Sequence, residues 1–572
     1  MVAESEYMVN TAKVEQISPG AVMAPVIAAF MTAHTTHERI DVLAAALEGT
    51  QGQQFREEMA EWVLQFLPVE KLVPDLYMRW RPLVRDAMRF MLSRLSTPRL
   101  APKLVEQVEL PRDTKPEVRL LKLIAKVPGL QKLGQVLARN RHLPQALRRA
   151  LSELENGIND VDSVQVGRII EEQLEPQLRR YSVRIEPEIF CEASVSAVVR
   201  FTWLNPEGKV RERGVFKVLK PYIPSCFAED MHLLADLARH LGGKHRAYGF
   251  APHVLPDTFN DVRRLLQHEV DFPREQVTLA TAAKLYGGVA GVRVPRVIQP
   301  LCTSRITAMT EERGKKITDA VKRMPLGRKA SVSEQLVDAL IAIPLFAPSG
   351  EVLFHADPHA GNLLYDQRRD ELIMLDWALT EHLTRAERRH LAVLFLMIFL
   401  RDPVGACNAI EALSPASSRR KRSKSRIIRE AVNRFLAALP ARRIPGAVDA
   451  MDLLEEIAWA GVRLPRSLVM FRKALFTLDG ILHDIGAPEF SMESVMARHI
   501  YETWTANWKT IGAPLSFADW MAVQCSALLF PGRLCLQGAQ NFLQESRKKA
   551  RALDANALSS RSKPENAVEQ PA

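Results

Sequence analysis

Apolar residues recur at helical spacing through the first part of the chain. Up to about residue 100, apolar clusters alternate with charged positions, which is typical of amphipathic helices around a core. A second block continues the pattern after a stretch interrupted by prolines. Its apolar stripe is formed by Leu143, Leu147, Leu151 and Leu154. We therefore predict that both blocks are helical.

The hydrophobic period changes near residue 185. Residues 195–203 are rich in β-branched and aromatic side chains, and residues 205–208 have the composition of a turn. Residues 214–219 then alternate between apolar and polar positions. This pattern predicts a β-hairpin, and a further strand is predicted at 305–309.

Helical patterns return at 226–242 and 258–286, and most of the chain after residue 320 is predicted to be helical apart from one hairpin. The most apolar run, 391–400, is about half of the roughly 20 residues that a bilayer-spanning helix needs. Because this run is apolar on all sides, it is predicted to be a buried core helix. A small β-rich part followed by a larger helical part indicates an α+β fold.

Length, net charge and cysteine spacing limit the number of domains, the partners and the compartment that we expect. The 572 residues are too many for one simple core, so two or more domains are expected. The net charge of +11 favours anionic partners without choosing among nucleotides, nucleic acid and acidic lipids. The six cysteines form no C-x-x-C pair, and the acidic N-terminus lacks a signal-peptide pattern. We expect a cytoplasmic protein, with peripheral contact at the inner membrane face as an open alternative.

The most informative stretch is 354–364, which contains Asp357 and Asn362 in the D-x-x-x-x-N relation of a kinase catalytic loop. Asp376 follows a short apolar strand, as a magnesium-binding aspartate does in that architecture. A predicted hairpin of residues 363–365 and 372–375 would bring Asn362 and Asp376 to the same end. One charged and one neutral oxygen ligand suit Mg²⁺, which keeps its other positions for water and phosphate.

A kinase-like site also needs a cation on a strand and a carboxylate that orients it. Lys217 lies among apolar neighbours in a predicted strand, and a buried lysine requires a partner. The helical region that follows offers Glu269, Asp271 and Glu275. The chain order of lysine, glutamate, catalytic loop and aspartate is that of a kinase fold.

A rival interpretation is a hydrolase metal centre formed by His355, Asp357 and His359, with a further ligand from His382 or His390. It leaves Lys217, Asn362 and Asp376 without a function. In the kinase-like interpretation His355 is structural and braces the loop around Asp357, and His359 has no assigned function.

With these motifs, the chain resembles the UbiB family of AarF-type atypical kinases, which is linked to coenzyme Q biosynthesis. The resemblance runs from about residue 125 to 485. The K-x-G-Q motif of the family matches Lys132, Gly134 and Gln135, and its E-x-D motif matches Glu269 and Asp271, six residues before the ion-pair Glu275. Residues 355–362 match its catalytic run, and 463–465 with 473–480 look like its late helical signature.

The resemblance implies a bilobal kinase-like fold with an N-terminal helical extension. It also implies that the K-x-G-Q helix folds over the active site and blocks the groove for protein substrates, with Lys132 facing the site and pairing with Glu269. Family members act as ATPases or as small-molecule and lipid-linked kinases in isoprenoid-lipid metabolism, usually that of ubiquinone, at a membrane surface.

Several positions depart from the family pattern. The alanine-rich nucleotide loop of the family is matched by Ala193 and Ser194, but Cys191 and Glu192 differ. A carboxylate at Glu192 would repel bound phosphate unless it points away. The remaining departures remove no chemical group, so we expect an active enzyme: they are Ala378 in place of a glycine after Asp376, Pro273 between Asp271 and Glu275, and Ala360 in place of a proline.

These observations predict an atypical kinase or ATPase that uses ATP and Mg²⁺. The expected catalytic residues are Asp357, Lys217 and Glu275, the metal ligands are Asn362 and Asp376, and the nucleotide-binding residues are Ala193, Ser194, Lys217 and Met309. Expected partners are a quinone precursor or another isoprenoid lipid and an anionic membrane, with no nucleic acid. Two alternatives stay open: a nucleotide-binding scaffold that organises quinone-biosynthesis proteins, and a protein kinase acting in trans.

We also expect five segments along the chain. They are an N-terminal helical region at 1–110, a helical extension with the K-x-G-Q motif at 111–185, a kinase-like N-lobe at 186–320, a kinase-like C-lobe at 321–552 and a disordered tail at 553–572.

Overall fold

The computed structural model describes residues 23–68, 72–73, 75–111, 113–125, 127–129, 161–205, 207–249, 254–347, 350–414, 421–440, 443–507 and 515–561. The chain divides into two compact units. The first unit contains the residues up to Leu285, together with Val294–Arg313 and Asp376–Leu379. The second unit contains Tyr286–Arg293, Gly314–Leu375 and the residues from Thr380 onward.

The first unit begins with amphipathic helices, as the sequence predicts. A capping box starts the second of them, because the Thr35 side chain accepts the N–H of Glu38 while Glu38 accepts the N–H of Thr35. The described helices of this region are α1 Met23–Thr32, α2 Thr36–Glu48, α3 Gly52–Phe66, α4 Arg81–Arg94, α5 Thr97–Glu109 and α6 Pro116–Ile124.

A four-stranded antiparallel sheet follows, in the order β1-β2-β3-β5. Its strands are β1 Val183–Glu192, β2 Ser196–Leu204, β3 Val210–Leu219 and β5 Ile306–Thr310. The predicted hairpin is β2 and β3, which pair from Ser196 opposite Leu219 to Leu204 opposite Val210. One face of the sheet is buried against helix α7, Ser163–Arg180.

Three further helices complete the first unit: α8 Ile223–Gly243, α9 Val254–Val270 and α10 Phe272–Tyr286. The first two share one hydrophobic core with the N-terminal helices. The single helical pattern predicted at 258–286 is thus two helices. Pro273 has no N–H to continue a helix and sits in the first turn of α10, where that N–H is not needed. Asp271 caps α10 by accepting the N–H of Arg274 at 3.1 Å.

The second unit contains two small sheets. The larger has the order β4-β9-β8-β6, and the other pairs β7 with β10. The predicted hairpin is β8 and β9, with Leu363 opposite Met374 and Asp366 opposite Glu371. The strands are β4 Val292–Arg293, β6 Lys315–Lys316, β7 Glu351–His355, β8 Leu363–Asp366, β9 Glu371–Met374 and β10 Thr380–Thr384.

Helices make up the rest of the second unit. Within α14, Leu391, Leu394 and Ile398 are fully buried, as predicted for the most apolar run. The last helix extends to Arg561, so residues 553–561 of the predicted disordered tail are helical. No described helix combines the length and apolarity that crossing a bilayer requires. The helices are α11 Ile317–Ala320, α12 Leu326–Val337, α13 Ile343–Phe346, α14 Arg385–Phe399, α15 Pro403–Leu413, α16 Lys421–Ala438, α17 Ala447–Trp459, α18 Arg466–Ile485, α19 Met492–Asn507 and α20 Phe517–Arg561.

Candidate active site

Lys217 lies at the centre of the polar cluster in the first unit. On β3 its neighbours Phe216 and Val218 point into the core against α7, so strand alternation directs Lys217 to the opposite face of the sheet. Its Nζ donates to Glu275 Oε1 at 2.6 Å and to Asp376 Oδ1 at 3.3 Å. Three side chains that the sequence grouped by motif are therefore in contact.

Burial and the opposite charge of the partner have opposing effects on the pKa values of Lys217 and Glu275. Burial alone would lower the pKa of Lys217, but Asp376 and Glu275 outweigh it and raise that pKa. Burial raises the pKa of Glu275 to about 7, with a further contribution from Asp376, although Lys217 opposes it. Glu275 Oε2 accepts no hydrogen bond from the described residues. One ammonium is thus shared by two carboxylates.

Asp376 has an unusual backbone conformation, with φ of +52°. Aspartate tolerates this left-handed region better than most residues. The segment is fixed to α10, because Thr278 donates to Trp377 O at 2.7 Å and Arg274 donates to Ala378 O at 2.8 Å. The Asp376 side chain remains 40% exposed. Asp376 can therefore reach a ligand without leaving Lys217, and Ala378 in place of glycine is compatible with this geometry.

The catalytic-loop motif lies in the second unit, after β7. Asp357 donates its N–H to His355 Nδ1 at 3.2 Å, so His355 Nε2 carries the hydrogen and donates to Leu375 O at 3.0 Å. The Asp357 carbonyl accepts the N–H of His359 at 2.8 Å. His355 thus braces the loop, as the sequence predicts. Because both ring nitrogens are engaged in hydrogen bonds, His355 does not fit the rival metal centre.

Asn362 is buried beside the same loop. Its amide nitrogen donates to the Asp357 carbonyl at 3.2 Å, which leaves its amide oxygen as the possible ligand atom. Leu375, the residue before Asp376, donates its N–H to Asn362 O at 2.8 Å. An amide oxygen is a hard ligand of the kind that suits Mg²⁺. Among the described residues, no three His, Cys, Asp or Glu side chains converge as a metal cluster.

A second lysine lies beside the catalytic loop, and no sequence motif predicts a function for it. Lys473 on α18 places its Nζ 3.1 Å from Asp357 Oδ1. The side chains of Lys473 and Asp357 are 22% and 6% exposed. The only sequence signal for Lys473 is its place in the late helical motif, which does not indicate that it pairs with Asp357.

The candidate nucleotide loop is the turn between β1 and β2. Ala193 donates its N–H to Ser196 O at 2.7 Å, which closes this turn. Glu192 turns into the protein and pairs with Lys220 at 2.8 Å, and both side chains are buried. Its carboxylate is therefore compensated, which removes the expected repulsion of phosphate. Met309 lies on β5 opposite Val215.

The Glu192–Lys220 pair leads to a stability prediction. Glu192→Gln leaves the buried Lys220 ammonium without this carboxylate, so we expect unfolding to require about 3 kcal/mol less free energy. Nucleotide affinity should not improve, because Glu192 does not point outward. Chemical denaturation and calorimetric ATP titration measure the two quantities, with Glu188→Gln on the exposed part of β1 as the matched control. A tighter ATP complex in Glu192→Gln would contradict this assignment.

The remaining predicted site residues belong to the K-x-G-Q and E-x-D motifs. Lys132, Gly134 and Gln135 lie outside the described residues, so the predicted pairing of Lys132 with Glu269 stays a prediction. Glu269 is buried near the end of α9, and Asp271 caps α10.

Comparisons with known proteins agree with the motif order. The ABC1 atypical kinase-like domain matches residues 153–409. A protein named probable protein kinase UbiB from Azotobacter vinelandii is 23% identical over 396 residues, which cover 66% of this chain and 69% of that protein. The chain is therefore similar to the UbiB family over this part of its length. Its α+β fold is accordingly kinase-like, and the family resemblance inferred from the motifs is confirmed.

Two further proteins are similar to this chain. Protein ACTIVITY OF BC1 COMPLEX KINASE 7, chloroplastic, from Arabidopsis thaliana is 24% identical over 381 residues, which cover 66% of this chain and 52% of that protein. A Mycobacterium tuberculosis protein solved in complex with erythromycin has 14% identity and a TM-score of 0.42, covering 65% of this chain and 90% of that chain.

Proposed function

We propose that this protein is a UbiB-family enzyme that binds Mg-ATP and hydrolyses it or transfers its terminal phosphoryl group to a small molecule. The observation that carries the proposal is the contact of Lys217 with both Glu275 and Asp376. A lysine fixed by one buried carboxylate and shared with a second, more exposed one is the arrangement that orients nucleotide phosphates beside a metal.

Each residue has one task in this proposal. Lys217, held by Glu275, contacts the α- and β-phosphates, while Ala193, Ser194 and Met309 contact the rest of the nucleotide. Asn362 and Asp376 supply oxygen ligands for Mg²⁺, which neutralises phosphate charge when bound. Asp357 accepts a hydrogen bond from the attacking hydroxyl or water and receives its proton.

A lipid-linked substrate at a membrane surface is the second part of the proposal. The net charge of +11 favours anionic lipid. In α20, Phe517 and Leu528 are each 81% exposed, which is unusual for large apolar side chains. An apolar cavity of about 290 Å³ in the second unit is lined partly by Phe395, Met496 and Trp520. These features support an isoprenoid lipid, such as a ubiquinone precursor, as the substrate class.

The test is ATP hydrolysis by the purified protein, with and without Mg²⁺, anionic liposomes and a phenol that mimics a quinone precursor. We expect Mg²⁺-dependent turnover that both additions increase. Leu528→Glu should reduce the liposome effect without changing basal turnover. No response to liposomes or phenol would remove the lipid part of the proposal and leave the ATPase part standing.

Asp357→Asn separates the enzyme from the scaffold alternative. The asparagine keeps the shape of the side chain but cannot take a proton, so we expect turnover to fall about 100-fold while Mg-ATP binding persists. Single-turnover hydrolysis and calorimetric binding measure the two effects. Glu351→Gln at the exposed start of β7 is the control. Full cellular function of Asp357→Asn would favour the scaffold, and labelled proteins in trans would favour the protein kinase.

A further inference from the structure

The cation that should face the terminal phosphate is missing from the catalytic loop itself. Residues 355–362 contain no lysine or arginine. Lys217 cannot fill this need alone, because its single charge is already shared by Glu275 and Asp376. Charge on the transferred phosphoryl group spreads over its three equatorial oxygens in the transition state, where a nearby cation has the largest effect. Asp357 adds a further negative charge at this point.

Lys473 is a side chain that the fold brings to the catalytic loop. Its Nζ lies 3.1 Å from Asp357 Oδ1, within the second unit. The side chain is mostly buried, with 22% of it exposed, and its Nζ atom is itself buried beside Asp357.

The position of Lys473 is fixed by the packing of its helix. Phe471, two residues earlier on α18, is buried and packs edge-on against Phe354 of β7, with ring centroids 5.5 Å apart. Arg466 pairs with Glu381 of β10 at 3.4 Å. The helix is therefore anchored to the strands that lead into and out of the catalytic region. Because Ala474 and Leu475 are also fully buried, a shift of α18 that would remove Lys473 from the loop is opposed by core packing.

We propose that Lys473 is a catalytic residue that contacts the terminal phosphoryl group and offsets its repulsion by Asp357. This inference rests on the proposed function. In the step it assists, the bond from the terminal phosphorus to the bridging oxygen breaks and ADP keeps the electron pair. The acceptor oxygen, of water or a substrate hydroxyl, bonds to phosphorus and gives its proton to Asp357. Lys473 changes no protonation state and acts through its charge.

A structural ion pair would behave differently from a phosphate contact. A purely structural Lys473 would hold Asp357 in place, and its loss would affect ADP and ATP complexes alike. A lysine that contacts the terminal phosphate strengthens the ATP complex only, because ADP lacks that group. The ratio of the two affinities therefore reports contact with the terminal phosphate without depending on turnover.

The experiment compares Lys473→Met with Arg472→Met on the same helix. Arg472 pairs with Glu455 on α17, so its variant also removes one positive charge and one ion pair. For Lys473→Met we expect kcat to fall about 50-fold and the preference for the non-hydrolysable β,γ-imido ATP over ADP, both with Mg²⁺, to disappear. Arg472→Met should match the wild type in both measurements. Lys473→Arg keeps the positive charge and should therefore retain the preference for the ATP analogue over ADP. This variant can still be measured if Lys473→Met does not fold.

The outcomes separate this inference from the function on which it rests. If the wild type binds neither nucleotide, the proposed function fails and Lys473 has no phosphate to contact. If the wild type binds and hydrolyses ATP but Lys473→Met keeps its preference for the ATP analogue, only the assignment of Lys473 is wrong. An equal loss of affinity for ADP and the analogue likewise overturns it in favour of a structural ion pair.

Discussion

Asp376→Asn is expected to lower Mg²⁺-dependent ATP hydrolysis by about 10³-fold while leaving the fold intact. Asparagine keeps the oxygen that accepts from Ala378 N–H at 3.2 Å and tolerates the left-handed backbone of this position. It removes the charge that would hold Mg²⁺ against the phosphates, and electrostatic groups of this kind account for the largest losses on substitution. Steady-state hydrolysis over a range of Mg²⁺ concentrations measures the effect, and raised Mg²⁺ should restore only part of the rate.

A matched control for this variant exists in the same chain. Asp370 also has a left-handed backbone, with φ of +60°, and it also pairs with a cation, Arg328 at 2.7 Å. It lies in the turn of the β8–β9 hairpin, away from any residue assigned to the reaction. Asp370→Asn should therefore keep wild-type turnover. If Asp376→Asn turned over ATP as fast as Asp370→Asn, the proposed metal site would be refuted.

The sequence predicted those strands that have apolar alternation and turn residues of their own. The hairpins β2–β3 and β8–β9 have clear alternation and turn residues, and both are present. Strand β1 was not predicted. It lies at the edge of the sheet, contains Pro187 and carries charged residues at exposed positions, so its sequence lacks the apolar alternation of a central strand. Edge strands are defined by their neighbour more than by their own residues.

In the candidate site, too, sequence motifs identify some residues, whereas the ion pairs between residues distant along the chain are seen only in the structure. The order of motifs along the chain selected Lys217 and Asp376. The spacing from the E-x-D motif of the resembled family selected Glu275 among three candidate carboxylates. The partners of Lys473 and Glu192 depend on side chains that the fold brings from elsewhere, Asp357 and Lys220. No periodicity in the sequence indicates such pairs. For this reason the sequence left open whether the Glu192 carboxylate faces phosphate, whereas the structure directs it to a buried lysine.

Lys217→Met is expected to lower both the free energy of unfolding and ATP turnover, for two different reasons. Loss of the ammonium leaves Glu275 buried without its cation, which should lower the free energy of unfolding by about 3 kcal/mol. Because the pKa of Glu275 is already raised to about 7, the carboxyl can take up a proton in the variant, which limits the loss. Turnover should fall about 10³-fold, since no other described residue of the first unit donates to both Glu275 and Asp376.

The double variant Lys217→Met, Glu275→Gln separates the two effects. Glutamine is neutral, so the double variant should regain most of the stability lost in Lys217→Met, whereas turnover should stay at the level of the single variant. Chemical denaturation and ATP hydrolysis on the same preparations give both quantities. Glu275→Gln alone keeps the lysine but loses the carboxylate that orients it, and Asp376 then holds Lys217 by itself. We expect its turnover to lie between those of the wild type and Lys217→Met. Recovery of turnover in the double variant would show that Lys217 serves only to neutralise Glu275, and the nucleotide would then need another cation.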